Sequence, residues 1–172
     1  MTTKLLDLGC GPEIRNFYSA DESYGVDIVD FNNKKIKVAD LVIEPIPFED
    51  NSFDYVTGFD FIEHIPRLIY YKDKRRQPFI ELMNEIWRVL KPNGIFRAET
   101  PAIPSYEAFA DPTHVNYIAE WTHLYFCGRE DIDNIHYEWG KIYGFNGQFV
   151  PKIVEWHKEH KAHLIWELEA IK

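Results

Sequence analysis

The chain has 172 residues, a length that suits one domain with a sizeable core. Apolar residues make up 45% and the formal charge is −9. That excludes a disordered chain and disfavours a dedicated nucleic-acid binder, whose affinity rests on neutralising phosphates. Two cysteines, Cys10 and Cys127, supply neither a disulfide framework nor zinc spacing, and there is no signal peptide or bilayer-length apolar run. The expected location is therefore a reducing cytoplasm, without membrane attachment.

The apolar run at residues 4–9 reads as a first strand, closed by Gly9 and Gly11. Pro12 suits a helix N-terminus, and Ile14, Phe17 and Tyr18 at i, i+3, i+4 predict a short helix. "YGVDIVD", residues 24–30, is a second strand ending in acids; "KIKVADLV" is a third and "SFDYVTGF", residues 52–59, a fourth. Phe79, Leu82, Met83, Ile86, Val89 and Leu90 form the apolar stripe of an amphipathic helix, stopped by "KPNG". "GIFRAETP" is a fifth strand ended by Pro101. Residues 102–147 are aromatic and irregular, and 148–172 read as a hairpin around a charged turn. Strands alternating with helices imply an α/β fold with a mostly parallel sheet, to which the hairpin adds an antiparallel edge.

In such sheets ligands sit at the carboxyl ends of the strands. The "LLDLGCGPEI" turn and Asp27, at the end of the second strand, therefore face one crevice. A dinucleotide fingerprint would place a third glycine where Glu13 stands. A pyrophosphate also avoids acids, and Asp7 and Glu13 flank this turn. S-adenosylmethionine carries a sulfonium and an ammonium and no phosphate, so the acidic turn favours it. A tight strand-to-helix turn without a ligand is the plainer alternative.

"LLDLGCGP", "GVDIVD", "VADLVIEPIPFEDNSFDYVTGFDFIEHI" and "ELMNEIWRVLKPNGIFRAETP" resemble, in order and spacing, the motifs of class I S-adenosylmethionine-dependent methyltransferases. The resemblance covers about residues 4–101 and implies a Rossmann-like methyltransferase sandwich with a C-terminal antiparallel hairpin. It implies one domain over 1–172: a cofactor-binding half at 1–101, an acceptor-side insertion at 102–147, and the hairpin at 148–172. It also implies that Asp7, Gly9, Cys10 and Gly11 line the methionine end of the cofactor. Asp27 takes the ribose hydroxyls, Ile28 packs on adenine, and Asp40 accepts from the adenine amino group beside Leu41. Phe59 and Asp60 sit next to the transferred methyl. Two departures stand out: Glu13 replaces a small residue, and the helix that often precedes the first strand and lids the cofactor is missing. Residues 65–78 or a second subunit, as in a homodimer, are the expected substitutes.

On the acceptor side a hydroxyl needs a base, whereas an amine needs only to be neutral. "FIEHIP" puts Glu63 and His64 just past the fourth strand, as the family often does, and His64 is a candidate base or a packing residue. In "ADPTHVNYIAEWTHLYF", His114 is the expected acceptor contact or base, oriented by Asp111. The alternative is that Asp111 caps a helix and His114 satisfies a carbonyl. Asp111, His114 and His123 show no strong metal-ligand spacing, so no metal is expected. His157, His160 and His163 fall in the charged turn and read as solvated. Trp121, Tyr125, Phe126, Tyr106 and Phe109 could form an apolar acceptor wall. "KDKRR", residues 72–76, reads as a solvated loop or an attractor of phosphate-bearing acceptors.

The expected function is methyl transfer from S-adenosylmethionine to an oxygen or nitrogen of a small molecule, such as a sugar or nucleotide sugar. The rivals are an RNA or protein methyltransferase using residues 72–76, and a non-catalytic cofactor-binding subunit.

Overall fold

The computed structural model describes residues 2–127, 129–130, 136–137 and 139–172. The parts of the expected insertion at Gly128, Glu138 and 131–135 lie outside the described residues.

Seven strands build the main sheet: β1 (Lys4–Leu8), β2 (Glu22–Asp27), β3 (Ile36–Val38), β4 (Phe53–Phe59), β5 (Leu90–Ile103), β6 (Phe149–Trp156) and β7 (His163–Ala170). Their order is β6-β7-β5-β4-β1-β2-β3. β3, β2, β1, β4 and β5 run parallel, while β7 is antiparallel to β5 and to β6. A short eighth strand, Ile118–Ala119, pairs in parallel with the end of β5. β1 lies inside the sheet, and its Leu5, Leu6 and Leu8 are fully buried. A strand covered on both faces reads as a continuous apolar run, as this one does.

α1 (Pro78–Val89) is the one helix longer than a turn among the described residues. Pro78 starts it, where a missing N–H costs little. Phe79, Leu82, Met83, Ile86 and Val89 are its buried stripe, as expected. Its end is held by the last residues of the chain. Trp87 Nε1 donates to the Ile171 carbonyl at 3.0 Å, and the Lys172 ammonium donates to the Arg88 carbonyl at 3.0 Å. A cation at a helix C-terminus is favoured by the macrodipole.

The sheet and the hairpin agree with the sequence reading, but several details do not. No helix forms between β1 and β2. The connection covers only residues 9–21, little more than the dozen a parallel crossover needs, and turns consume both ends. Asn16 closes the second turn by pairing with both backbone groups of Ala20 at 2.9 Å. Ile14, Phe17 and Tyr18 therefore wrap the sheet as irregular chain, with Tyr18 stacked on Tyr55 at 4.2 Å. The sheet face beneath is correspondingly polar: Arg97 pairs with Glu99 and Glu167 and lies 4.3 Å over the Phe17 ring.

β2 starts two residues early and stops at Asp27, and β3 covers three residues of the expected eight. β5 runs on through Pro101 to Ile103. Residues 72–76 are not a plain loop: Lys74–Arg76 pairs with Ile69–Tyr71 in an antiparallel ribbon. No described helix is long and apolar enough to cross a membrane.

Candidate functional site

The turn after β1 depends on its glycines. Gly9 and Gly11 have φ of +63° and +61°, a region most side chains avoid. A Cβ on Gly9 would lie 2.5 Å from Phe61 Cδ2, so the backbone passes directly under that ring. The Gly9 N–H donates to the Val26 carbonyl at 2.9 Å, tying the turn to β2. Asp27 then receives the Gly11 N–H on one carboxylate oxygen and the Val29 N–H on the other, both at 2.9 Å. Its orientation is thereby set, and each oxygen keeps a lone pair for a further donor.

Beneath the turn, Asp7 is buried. It accepts the Arg15 N–H and the Thr57 hydroxyl, each at 2.8 Å. Burial, partly offset by these two bonds, pushes its carboxyl up to about 6. Cys10 turns toward Gly25, whose missing side chain makes room for its sulfur. Burial and the nearby Asp7 and Asp27 push that thiol up to about 11, so it is no nucleophile at neutral pH.

At the carboxyl ends of β1, β2 and β4 a cavity of about 320 Å³ opens. Of the expected cofactor residues, Gly9, Asp27, Ile28, Asp40, Leu41 and Asp60 line it. Asp7, Cys10, Gly11 and Phe59 do not: the first three shape the turn, and Phe59 faces a different cavity. Phe61, His64 and Ile65 join the lining, and no lysine or arginine does. A pyrophosphate would meet only carboxylates there, while a cationic ligand would be at home. Phe61 was not foreseen. The close backbone approach that Gly9 permits was the available signal.

Asp60 has φ of +49° and donates its N–H to the Glu99 carbonyl at 2.9 Å. Its carboxylate lies 2.8 Å from His163 Nε2. This corrects the reading of the histidine-rich turn as merely solvated. His160 is exposed, but His163 reaches the donor cavity through Asp60. Arg15, Phe59, Asp60, Glu99 and the three histidines line a second cavity of about 290 Å³, so Asp60 is a wall common to both.

The opposite flank joins two distant segments. Just after β4, Ile62–His64 forms one turn of 3₁₀ helix. The Glu63 carbonyl accepts the N–H groups of Val115 and Asn116, both at 2.9 Å. Buried Asn116 donates to the Ile62 carbonyl at 3.0 Å and accepts from Arg67 Nε at 2.7 Å. These bonds bring the expected trio of His64, Asp111 and His114 together. The two imidazoles meet edge to face at 4.9 Å, and Asp111 Oδ2 lies 4.0 Å from His114 Nε2. Asp111 also closes its own turn, accepting the Thr113 N–H at 2.7 Å. Glu63 is the addition: it is buried, and its Oε2 accepts the Thr100 hydroxyl at 2.8 Å. Burial pushes its carboxyl above the usual range.

Other candidates fall elsewhere. His123 is buried against Trp166 with Nδ1 2.9 Å from the Glu120 carbonyl, and burial lowers its pKa. Tyr125 and Phe126 line a separate groove of about 260 Å³ with Phe79 and Arg67, while Tyr106, Phe109 and Trp121 are exposed.

Comparison with known proteins agrees with this fold. The sequence model of the methyltransferase domain family matches residues 6–98. The chain belongs to the class I S-adenosylmethionine-dependent methyltransferase family. It is 25% identical over 167 residues to YqeM of Bacillus subtilis (strain 168), covering 91% of this chain and 66% of that protein's length. A chain from the complex between the Haloferax volcanii Trm112 methyltransferase activator and a methyltransferase superposes with a TM-score of 0.64 at 14% identity, covering 99% of this chain and 84% of that one. A methyltransferase from Aquifex aeolicus gives 0.58 at 14% identity, covering 98% and 81%. At these identities the two structures show a common fold.

Proposed function

We propose that the chain transfers the methyl group of S-adenosylmethionine to an oxygen or nitrogen of a small-molecule acceptor, as one domain over 1–172. The observation that carries this reading is the 320 Å³ cavity, with Asp27, Asp40 and Asp60 in its lining and no lysine or arginine. Asp27 accepts the ribose diol, Asp40 the adenine amino group, and Ile28 and Leu41 flank the ring. Asp60 faces the cationic end. The donor supplies an already activated methyl, so the protein's work is alignment and, for a hydroxyl, removal of its proton. His64 lines the cavity and meets His114, which makes these two the proton acceptors of choice.

The small-molecule reading is supported by the −9 charge and by the fate of residues 72–76. Asp73 interrupts that run, and Arg76 is committed to Glu81 and to the Ile43 carbonyl. That leaves Lys72, Lys74 and Arg75 as the exposed bases of the run, a narrow patch for binding phosphates. The Haloferax volcanii relative comes from a complex with an activator. For this chain, closure of the cavity by an activator or a second copy is a companion proposal, read by light scattering with and without donor.

Calorimetry with S-adenosylmethionine and its demethylated product tests the main reading. Micromolar binding is expected, and Asp27→Ala should weaken it at least tenfold, about 1.4 kcal/mol. Absence of heat with both ligands overturns it.

A further inference from the structure

Four buried polar atoms among the described residues have no hydrogen-bond partner, Glu63 Oε1, His114 Nδ1, His163 Nδ1 and Trp166 Nε1, and the first two lie together beside the donor cavity. Glu63 is only 1% exposed. Leaving such a group unpaired costs about 1–3 kcal/mol, more if it is charged. One orphan could be incidental to packing. Here both belong to one cluster, in which Glu63, His64 and His114 each offer a ligand atom within 4.8 Å of the others. We propose that these three side chains hold a divalent transition-metal ion at the wall of the donor cavity.

The surroundings are those of a metal site. Glu63 and His64 are each oriented from behind by a hydrogen-bonded second group, as metal ligands usually are. The Thr100 hydroxyl donates to Glu63 Oε2 and leaves Oε1 free. The Thr113 carbonyl lies 3.2 Å from His64 Nδ1, which favours a proton on that nitrogen and a lone pair on Nε2. His114 Nδ1 is buried and unpartnered, which leaves it as the ligand, while Nε2 faces the Asp111 carboxylate at 4.0 Å. Ligands bonded to one ion at about 2.0–2.2 Å lie roughly 3–3.5 Å apart, so binding draws the three inward by about 1 Å. Two imidazoles and one carboxylate suit zinc, cobalt, nickel, manganese or ferrous iron. Magnesium and calcium prefer an all-oxygen set.

Three protein ligands leave coordination positions open, as in catalytic sites and unlike closed structural ones. His64 also lines the donor cavity, so the cluster adjoins the place of methyl transfer. The role of the ion rests on the methyltransferase reading: it would make an acceptor hydroxyl more acidic at neutral pH, replacing the proton-acceptor part that the two imidazoles play without it. That narrows the acceptor to oxygen compounds such as phenols, polyols or hydroxy acids. Ion binding itself does not depend on that reading.

The test uses the full chain stripped with a chelator and titrated with Zn²⁺, and with Co²⁺ followed by its visible absorption. One equivalent should bind at micromolar Kd or tighter and raise the melting temperature. Glu63→Gln keeps the size and the Thr100 contact, and should lose at least tenfold in affinity, as should His114→Gln. A double variant, His157→Asn with His160→Asn, should bind like the parent. Unchanged binding in Glu63→Gln together with loss in the histidine-turn variant would place the ion elsewhere and overturn the proposal. So would absence of uptake by the parent, in which case Glu63 and His114 are merely a proton-sharing pair. Should Glu63→Gln fold poorly, His64→Asn, on the cavity side, carries the same expectation. Calorimetry with the demethylated donor on the same samples keeps the two readings separate: uptake of metal without donor binding rejects the function and leaves the site.

Discussion

The two flanks of the cavity are built by different means. On the donor side the functional groups come from the ends of adjacent parallel strands, and backbone N–H groups of the turns that follow those strands aim them. Gly11 and Val29 on Asp27 are the clearest case. On the acceptor side, Glu63 and His64 meet Asp111 and His114 through long-range bonds made chiefly by Asn116 and the Glu63 carbonyl. The donor side is fixed by the turns at neighbouring strand ends and the acceptor side by contact between loops far apart in sequence. Disturbance should therefore spread differently from each.

The largest effect is expected where the donor side is most strained. Gly9→Val places a β-branched residue at φ +63° and its Cβ 2.5 Å from the Phe61 ring. It should cost about 3 kcal/mol or more in urea unfolding and over a hundredfold in donor affinity. A loss under tenfold would break the claim that the turn's conformation sets this half.

Asp7 sharpens the same half through pH. Its folded-state pKa of about 6 lies above the ordinary 3.8, so the fold binds that proton more tightly than the unfolded chain. Its contribution is complete below about pH 4 and is lost as pH rises through 6, a change of roughly 3 kcal/mol. Relative to Asp7→Asn, the parent should lose stability by that order between those limits. Parallel pH profiles would show that the carboxyl is not held protonated.

Asn116→Ala probes the other half. It strips the Ile62 carbonyl and the Arg67 guanidinium of a buried partner, at about 2 kcal/mol. Methyl transfer should fall at least tenfold while affinity for the demethylated donor stays within twofold. Equal loss of both would mean the halves are not separable. The smallest effect belongs to His163→Ala, which removes the link between Asp60 and the hairpin. About 1 kcal/mol of stability and a few-fold in donor affinity are expected from equilibrium titration.

This division also explains what the sequence disclosed. Asp27 was legible from the end of the second strand and its spacing to Gly9, whereas Asp40 and Asp60 were legible only through the resemblance to the family's motifs. The β6–β7 hairpin was legible from its alternation and charged turn. The helix expected at Ile14, Phe17 and Tyr18 was not there, because an i, i+3, i+4 pattern also suits a short wrap whose aromatics face the sheet. β5 passed through Pro101 because the missing N–H falls near the strand's end, where the ladder is thinning. The meeting of Glu63 with His114 was unreadable as geometry, since no local pattern joins residues so far apart. His163 was misread for the converse reason: a charged turn looks solvated until the strand beside it is known to be β5.

The sheet order carries a consequence for how the molecule is made. β6 has its ladder partner only in β7, and β7 lies between β6 and β5. During synthesis β7 follows β5 and β6 and must enter between them, bringing His163 with it and Lys172 just behind. Until then β5 presents an open edge, and the end of α1 lacks its cation. The donor turn can form early on the ribosome. Products truncated before β7 would therefore expose an aggregation-prone strand edge on β5.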